Sequence, residues 1–377
     1  MKDKGSVLAL ASLIGTIIGA GVFAIPYVMA KGGILFCLFY FLVLGATVFF
    51  IHLFFGEVVL RTKQKHRLVG YAEKYLGKRA KVLIAFSTIF GTIGALLAYI
   101  ILGGHFLKLI FPLSLSSFQL SLLLWVVLSF FVFWGIKSIA WIQLLMNAGF
   151  FGAVFLIFLY GFPKIDIGNF ILADPKYIFL PYGVILFSLV GWNAVPEIET
   201  ILVKKKNLRK VIFWAIAISL SFYFLFGLFI NGLTGQNTTP EAFEGLIPLL
   251  GQKIIILGGL FGLFAISTSF LILGNYLKNT LIFDYHFPYL FAFLIAVFSP
   301  LLLFLSGIRE FIWVIAFVGT FIGLIEGTMI ILIYKKAKKQ GDRIPEYNLK
   351  IPRYLPYLMI AILFFGAIAQ TIYHFIS

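Results

Sequence analysis

The sequence predicts an all-α membrane protein in which eleven helices cross the bilayer. Two observations indicate this class. The chain is 62% hydrophobic and only 12% charged, with a mean hydropathy of +1.06, whereas a soluble domain carries about twice that share of charged residues. In addition, apolar stretches of about 20 residues, the length that spans the hydrocarbon core, recur throughout the sequence. Residues 1–377 are therefore predicted to form a single transmembrane domain.

Hydropathy windows place the eleven spans, which are numbered from the N-terminus. They cover residues 7–30, 34–60, 82–110, 118–134, 141–162, 178–202, 211–232, 253–275, 289–307, 311–334 and 354–375. The first span is not interpreted as a cleaved signal peptide, because its apolar run is too long and no convincing cleavage site follows it. It is predicted to be retained as the first helix.

The distribution of positive charge predicts the orientation in the cell membrane. When the loops are assigned alternately to the two sides, 24 of the 30 Lys and Arg residues fall on the side of the N-terminus. Because cytoplasmic loops are enriched in these residues, the N-terminus is predicted to be cytoplasmic and the C-terminus extracytoplasmic. The same rule accounts for the net charge of +16. The bilayer is thus the expected partner; no nucleic acid is expected, and no obligatory protein partner is evident.

Spans 1 and 6 contain residues that interrupt a helix. These residues are Gly15, Gly19, Gly21 and Pro26 in span 1, and Gly191, Asn193 and Pro196 in span 6. Residues 7–162 and 178–334 each hold five spans and are almost equal in length. Because five is an odd number, the second unit must enter the membrane from the opposite side. Interruptions in the first helix of each half are typical of an inverted-repeat transporter with its site at the midplane. Gly15 and Gly19 alone would also suit ordinary helix packing; the matching break in span 6 favours an unwound segment.

A broken helix can bind a zwitterion without any charged side chain. Its second half begins with free N–H groups and a partial positive dipole, which suit a carboxylate. Its first half ends with free carbonyl groups, which suit an ammonium group. Irregular main chain is tolerated at membrane depth only where it lines a cavity or is enclosed by protein. The two breaks therefore predict a site for an amino acid.

The motifs at the two breaks resemble those of a known family. GTIIGAGVFAIP and FSLVGWNAVPEIETILVKKKNLRKVI are similar to the span-1 and span-6 patterns of the amino acid/polyamine/organocation (APC) superfamily. The branch most resembled is that of amino acid transporters and aromatic amino acid permeases with eleven helices. This resemblance implies the LeuT-type fold, a 5+5 inverted repeat (7–162 and 178–334) with broken helices 1 and 6 and one extra C-terminal helix (354–375).

The resemblance also implies a set of substrate-binding residues at the matching positions. The main chain of Gly19, Ala20 and Gly21 would bind the carboxylate. The carbonyl groups of Ile17, Phe187 and Val190 would bind the amine, next to Gly191 at the second break. Thr16 and Ser188 could add hydroxyl contacts, and Phe187 matches a gating aromatic residue of the relatives, although most of the 45 phenylalanines must be core or lipid-facing residues.

For the coupling ion, two alternatives remain open. Na⁺-coupled relatives use oxygen atoms between spans 1 and 8, which here would come from Gly15, Ile18, Ala265, Thr268 and Ser269. Membrane Ser and Thr hydroxyls often bond only to their own helix. Some proton-coupled relatives place a lysine of span 5 in this space. Span 5 of this chain has no lysine, and the matching position falls near Phe150. A proton route could instead use Glu197, Glu199 or Glu326, and the first two could equally close an inner gate beside Lys204–Lys206.

The expected function is secondary active transport of a neutral, large or aromatic amino acid by alternating access, coupled to Na⁺ or H⁺. An amino-acid-sensing receptor on the same fold is the alternative. An enzyme is not expected, because the sequence contains no HExxH, GxSxG or Walker motif, and no cofactor other than Na⁺ is implied. Glu57 with Arg61 is interpreted as an interface ion pair, and His52 and His105 as packing residues.

Overall fold

The computed structural model describes residues 4–111, 114–134, 139–283 and 285–376, and the side chains of these residues except 139–148, 150, 283, 375 and 376. In this part of the chain the regular structure is entirely helical. The α-helices are α1 (Lys4–Ile17), α2 (Gly21–Gly32), α3 (Ile34–Arg61), α4 (Leu68–Leu76), α5 (Lys78–Ile110), α6 (Ser117–Trp134), α7 (Ile139–Gly161), α8 (Leu180–Leu189), α9 (Val195–Ile201), α10 (Leu208–Thr234), α11 (Ile247–Leu250), α12 (Gln252–Phe283), α13 (Tyr289–Leu305), α14 (Phe311–Ile322), α15 (Thr328–Gln340) and α16 (Leu355–Ile376).

The helices are consistent with eleven membrane spans. Among the described residues, eight helices are long and apolar enough to cross a membrane, and the bent pair α1–α2 makes a ninth. Two shorter apolar helices, Phe151–Lys164 and Tyr289–Leu305, lie where spans 5 and 9 were predicted. The all-α multi-pass class is therefore confirmed. The predicted ends agree within a few residues except where polar sequence extends a helix, as at the ends of α12 and α15.

Span 1 is broken between α1 and α2, whose axes differ by 54°. The break itself consists of residues 18–20. In the described structure, the N–H groups of Gly19 and Ala20 make no main-chain hydrogen bond, whereas their carbonyl groups accept from the N–H groups of Val22 and Phe23 at the start of α2. Pro26 lies inside α2 rather than at the break, so the glycines determine where the helix is interrupted.

Span 6 is interrupted in the same manner between α8 and α9. Val190 is extended, with φ −65° and ψ 121°, and Gly191 has φ −158° and ψ 2°. A turn of 3₁₀-helix, Trp192–Ala194, then leads into α9. Pro196 lies in the first turn of α9, where its missing N–H costs no helical hydrogen bond. The predicted break of span 6 is therefore confirmed.

The two broken spans lie against one another near the centre of the bundle. Helix α2 packs on α8 and α10, and α1 packs on α9 and α10. Helix α5 contacts α12 and α14 and is the most enclosed span, with 72% of its apolar window buried, compared with 28% for α16. The additional C-terminal helix is thus peripheral, with most of its surface available to lipid.

Two elements were not predicted from the sequence. The basic loop after span 2 contains an amphipathic helix, α4, which packs against α5 and α15. Span 10 contains one turn of π-helix, Gly323–Gly327, between α14 and α15. Turns of this kind occur frequently at functional sites, and this turn carries Glu326.

Candidate functional site

The broken ends of spans 1 and 6 are in direct contact. A Cβ atom added to Gly21 would lie 2.8 Å from Cβ and 2.9 Å from Cα of Ser188, and closer still to its Oγ. A Cβ atom added to Gly191 would lie 2.6 Å from Cγ1 of Ile17. Glycine is therefore required at Gly21 and Gly191 so that the two broken helices can pack closely. This packing role differs from the substrate contact that the sequence predicted for both residues.

Tyr223 of α10 links the two breaks. Its hydroxyl oxygen lies 2.7 Å from the carbonyl oxygen of Ile17 and 3.0 Å from that of Ser188, and the side chain is fully buried. A hydroxyl has one proton, so it donates to one of these carbonyl groups at a time. Sequence reasoning missed this residue, since one tyrosine among 17 gives no signal without the contact.

A cavity of about 20 Å³ lies beside the break of span 1. Its lining residues are Gly15, Ile18, Gly19, Ala20, Val22, Phe23, Phe151, Ala265, Ile266 and Ser269. A single water molecule needs about 10–15 Å³ measured in this way, so the cavity accommodates an ion or a water molecule in its present form. An amino acid would require its walls to separate.

The predicted substrate-binding residues divide into three groups. Gly19 and Ala20 line the cavity. The remaining main-chain positions surround the contact between the breaks. Thr16 lies apart, since it is exposed and its hydroxyl donates to the carbonyl group of Ser12 at 2.9 Å.

Two side chains at the span-6 break face away from the cavity. The Ser188 hydroxyl donates to the carbonyl group of Val184 within its own helix, at 2.8 Å. Phe187 is half-buried and packs its Cβ beside Gly319 of α14. Neither residue is among those that line the cavity, so in this conformation both pack within the helix bundle.

Four of the five predicted Na⁺ ligands meet at the cavity. Gly15, Ile18, Ala265 and Ser269 all line it. The fifth, Thr268, is buried and donates its hydroxyl to the carbonyl group of Ala265 at 2.9 Å, the local bond expected of a helical threonine. The described residues contain no group of three or more His, Cys, Asp or Glu side chains that could hold a metal ion. Phe150 lies outside the described side chains.

The cavity has an aromatic wall that the sequence did not reveal. Phe23 and Phe151 line it, and the Phe23 ring packs edge-on against Phe106 at 4.9 Å and Phe243 at 5.6 Å between centroids. Phe243 belongs to the segment between α10 and α11, so this cluster covers one end of the cavity. Such offset and edge-on contacts stabilise aromatic clusters and suit a further aromatic ring.

The acidic residues after the span-6 break lie apart from the cavity. Glu199 is buried and its Oε1 lies 3.1 Å from Nζ of Lys205, whereas Glu197 is exposed. The expected contact between Glu57 and Arg61 is present, with 2.8 Å between Oε1 and Nη2. His52 is fully buried and packs against Trp192, as expected of a packing residue.

Glu326 has a different environment. Its Oε1 accepts a hydrogen bond from the Thr88 hydroxyl at 2.9 Å, and its Oε2 accepts from Trp192 Nε1 at 2.8 Å and Asn193 Nδ2 at 3.3 Å. The side chain is 1% exposed. Glu326 therefore joins span 10 to span 3 and to the first residues after the break of span 6.

Comparison with known proteins identifies the family. The profile of the tryptophan/tyrosine permease family matches residues 2–370, which is nearly the whole chain. The chain belongs to this permease family. It is also 29% identical over 288 residues to the "Tyrosine-specific transport system 1" of Haemophilus influenzae, an alignment that covers 72% of this chain and 71% of that protein.

The fold of this permease is also found in a solved structure. The crystal structure of MhsT in complex with L-phenylalanine superimposes with a TM-score of 0.66, over 99% of this chain and 98% of that one, at 16% sequence identity. The LeuT-type fold and the APC resemblance predicted from the breaks are therefore confirmed. The permease is a multi-pass membrane protein that transports amino acids, and it is not an enzyme.

Proposed function

We propose that this permease carries a neutral amino acid with a large or aromatic side chain by alternating access, in symport with Na⁺. The observation that carries the proposal is the cavity at the span-1 break, where main-chain groups of the break, an aromatic wall and oxygen atoms of span 8 meet. The name of the Haemophilus relative and the phenylalanine bound to MhsT support an aromatic substrate.

The main chain would recognise the amino acid backbone of the substrate. The N–H groups of Gly19 and Ala20 make no main-chain hydrogen bond in the described structure, and together they suit a carboxylate. The carbonyl groups of Ile17 and Val190, at the ends of the first halves of spans 1 and 6, suit the ammonium group. Phe23 would contact an aromatic side chain. Among the described residues, no charged side chain lines this cavity, so a neutral substrate is favoured.

Sodium coupling is proposed from the composition of the same cavity. Its volume of about 20 Å³ suits a small ion, and carbonyl and hydroxyl oxygen atoms are hard ligands without a full charge. Gly15, Ile18 and Ala265 would contribute carbonyl groups, and Ser269 a hydroxyl group. Thr268 would join them through its free lone pair while donating to Ala265.

The proposed orientation follows from the loop charges. The side of the N-terminus carries 24 of the 30 Lys and Arg residues, so we place it in the cytoplasm and the C-terminus outside. With this orientation, Glu199 and Lys205 lie at the cytoplasmic end of span 6 and would help to close the inner side. The aromatic cluster of Phe23, Phe106 and Phe243 lies towards the opposite end.

Uptake into proteoliposomes tests the proposal. Purified permease would be reconstituted, and uptake of labelled tyrosine, tryptophan, phenylalanine and leucine measured with an inward gradient of Na⁺ or of choline. We expect uptake that requires Na⁺ and is greatest for aromatic substrates. Equal uptake in choline would refute Na⁺ coupling, and binding without uptake would favour the sensing receptor.

A matched pair of variants locates the ion site. Ser269→Ala removes a hydroxyl group that lines the cavity, whereas Ser267→Ala removes one from the same helix that does not line it. We expect the first variant to need a much higher Na⁺ concentration for half-maximal uptake and the second to behave as the wild type. Equal Na⁺ dependence in both would place the ion elsewhere.

A further inference from the structure

Glu326 is a carboxylate buried at membrane depth without a charged partner. Its three hydrogen-bond donors are a hydroxyl, an indole N–H and an amide N–H, from Thr88, Trp192 and Asn193. No basic side chain contacts it in the described structure. Ionisable groups inside a membrane are costly, and for that reason they are generally paired or functional. Glu326 is not paired.

Glu57 shows how the same chain neutralises a buried carboxylate. It is equally buried, but Arg61 lies 2.8 Å from its Oε1, and the N–H of Leu349 donates to its Oε2 at 2.7 Å. The positive charge of Arg61 thus balances the Glu57 carboxylate within the same helix. The contrast indicates that the environment of Glu326 does not fix its charge.

The contacts of Glu326 are compatible with both protonation states. In the ionised form, the Thr88 hydroxyl donates to Oε1. In the acid form, Oε1 carries the proton and can donate to the Thr88 oxygen, because a hydroxyl group both donates and accepts. Oε2 accepts from Trp192 and Asn193 in either form. One proton can thus bind or leave while every polar atom of the cluster keeps a partner.

The charge of Glu326 would change how firmly span 6 is held. Trp192 and Asn193 are the first residues after the extended break at Val190 and Gly191, and their hydrogen bonds tie this turn to span 10. Hydrogen bonds to an ionised acceptor are roughly twice as strong as neutral ones. The ionised form therefore holds the second half of span 6 firmly, and protonation weakens that hold.

The surroundings also provide a short route for the proton. Asn193 is exposed, although the carboxyl group it contacts is not. On the other side of Trp192 lies His52 of α3, with 5.8 Å between ring centroids and with its Nε2 without a partner in the described structure. His52 is thus the one other titratable side chain that faces this cluster among the contacts described.

From this geometry we infer that Glu326 is a proton-binding site that controls the position of the second half of span 6. The inference rests on the proposed transport function, because it assigns the proton a step in the transport cycle. It is independent of the Na⁺ site, which lies beside span 1, and it involves only the binding and release of one proton.

Fluorescence tests proton binding without requiring transport. The chain has six tryptophans, so the signal of Trp192 is taken as the difference between the wild type and Trp192→Phe in detergent. As the pH is varied, we expect this fluorescence difference to follow a single titration curve. The curve should be lost in Glu326→Gln, whose amide mimics the acid form. In Thr88→Val the midpoint should shift to higher pH, because one donor fewer holds the ionised carboxylate. A curve unchanged in Glu326→Gln would overturn the inference.

Proton movement during uptake tests the step in the cycle. Proteoliposomes containing a pH-sensitive dye would receive labelled tyrosine with equal Na⁺ on both sides. We expect substrate-dependent proton movement in the wild type and in Glu310→Gln, which removes an exposed carboxyl group from the residue just before α14, and its loss in Glu326→Gln. Tyrosine uptake without proton movement in the wild type would overturn the inference while leaving the proposed function standing. A titration of Trp192 without any uptake would support proton binding at Glu326 but would overturn the proposed function, and with it the step assigned to the proton.

Discussion

Replacing Gly19 or Gly21 by alanine adds the same methyl group at two positions of one break, with different expected consequences. A Cβ atom at Gly19 meets no atom within 4 Å, whereas one at Gly21 meets the side chain and the main chain of Ser188 at 2.9 Å or less. Neither glycine has a positive φ, so alanine is not strained by its own backbone conformation. The two variants therefore separate substrate contact from helix packing.

The expected magnitudes follow from these surroundings. In Gly19→Ala the methyl group projects into open space beside the cavity, so the free energy of unfolding should hardly change. If the carboxylate binds there, the added methyl group keeps it from the Gly19 N–H, and the loss of one charge-assisted hydrogen bond costs about 1.5–3 kcal/mol, or about 10- to 150-fold in Kd. In Gly21→Ala the main chain must shift, and overpacking of this kind costs about 1–3 kcal/mol of stability.

Two measurements on purified protein are needed. Thermal unfolding in detergent, without substrate, reports the packing of the breaks, and equilibrium binding of labelled tyrosine reports the site. We expect Gly19→Ala to unfold as the wild type does but to bind weakly, and Gly21→Ala to unfold at a lower temperature. Adding Ser188→Gly to Gly21→Ala removes the two closest atoms and should restore part of the lost stability.

The expected loss of affinity in Gly19→Ala and the expected loss of stability in Gly21→Ala can be refuted separately. Wild-type affinity in Gly19→Ala would show that the substrate carboxylate does not bind at this end of α2. Wild-type stability in Gly21→Ala would show that the breaks of spans 1 and 6 do not pack as closely as Gly21 and Ser188 do in this structure. A failure of Ser188→Gly to restore any stability would assign the loss to another contact.

Three further predictions concern residues around the site. Tyr223→Phe removes the hydroxyl group that links the two breaks and should lower the free energy of unfolding by about 0.5–1.5 kcal/mol, which denaturation of both proteins would measure; an unchanged value would mean that water replaces the link. Glu241 lies between α10 and α11. Burial raises the pKa of its carboxyl group, although a hydrogen bond from Thr239 partly lowers it. Because the folded chain then binds this proton more tightly, stability should fall as pH rises from about 4, and Glu241→Gln should lessen that fall in thermal unfolding. Phe23→Ala should weaken binding of tyrosine more than of leucine, and an equal loss for both would place the aromatic side chain elsewhere.

The breaks of spans 1 and 6 could be predicted because their causes are local. Glycine at membrane depth and proline in the first turn of a helix act on their own main chain, so sequence alone indicates the interruption. The sequence named Gly15, Gly19, Gly21 and Pro26 as residues that interrupt span 1, and the structure places the break at residues 18–20 with Pro26 inside α2. The N–H groups of Gly19 and Ala20, which make no main-chain hydrogen bond, mark the interruption at the closely spaced glycines.

Contacts between distant spans could not be predicted in this way. Tyr223, Phe23 and Phe151 matter because of what lies opposite them, and the sequence offers 17 tyrosines and 45 phenylalanines without marking any of them. Glu326 was found because it is the one acidic residue inside span 10. Its partners, Trp192 and Thr88, come from spans 6 and 3, so only the three-dimensional arrangement shows that the carboxyl group holds the span-6 break.

The contacts between the breaks limit how a larger ligand could enter. Gly21 packs closely against Ser188, and the hydroxyl group of Tyr223 lies within hydrogen-bonding distance of the carbonyl groups of Ile17 in α1 and Ser188 in α8. Separating span 1 from α8 would disrupt this arrangement, and an unpaired buried polar group costs about 1–3 kcal/mol. Across the cavity, Ile266 and Phe151 present apolar surfaces that can slide or part without leaving a polar group unpaired. The weaker boundary is therefore the one between the paired breaks and α7 with α12, and the same boundary contains the residues proposed to bind Na⁺. An ion bound there would bridge the two sides, which gives a physical reason for its occupancy to control the size of the cavity.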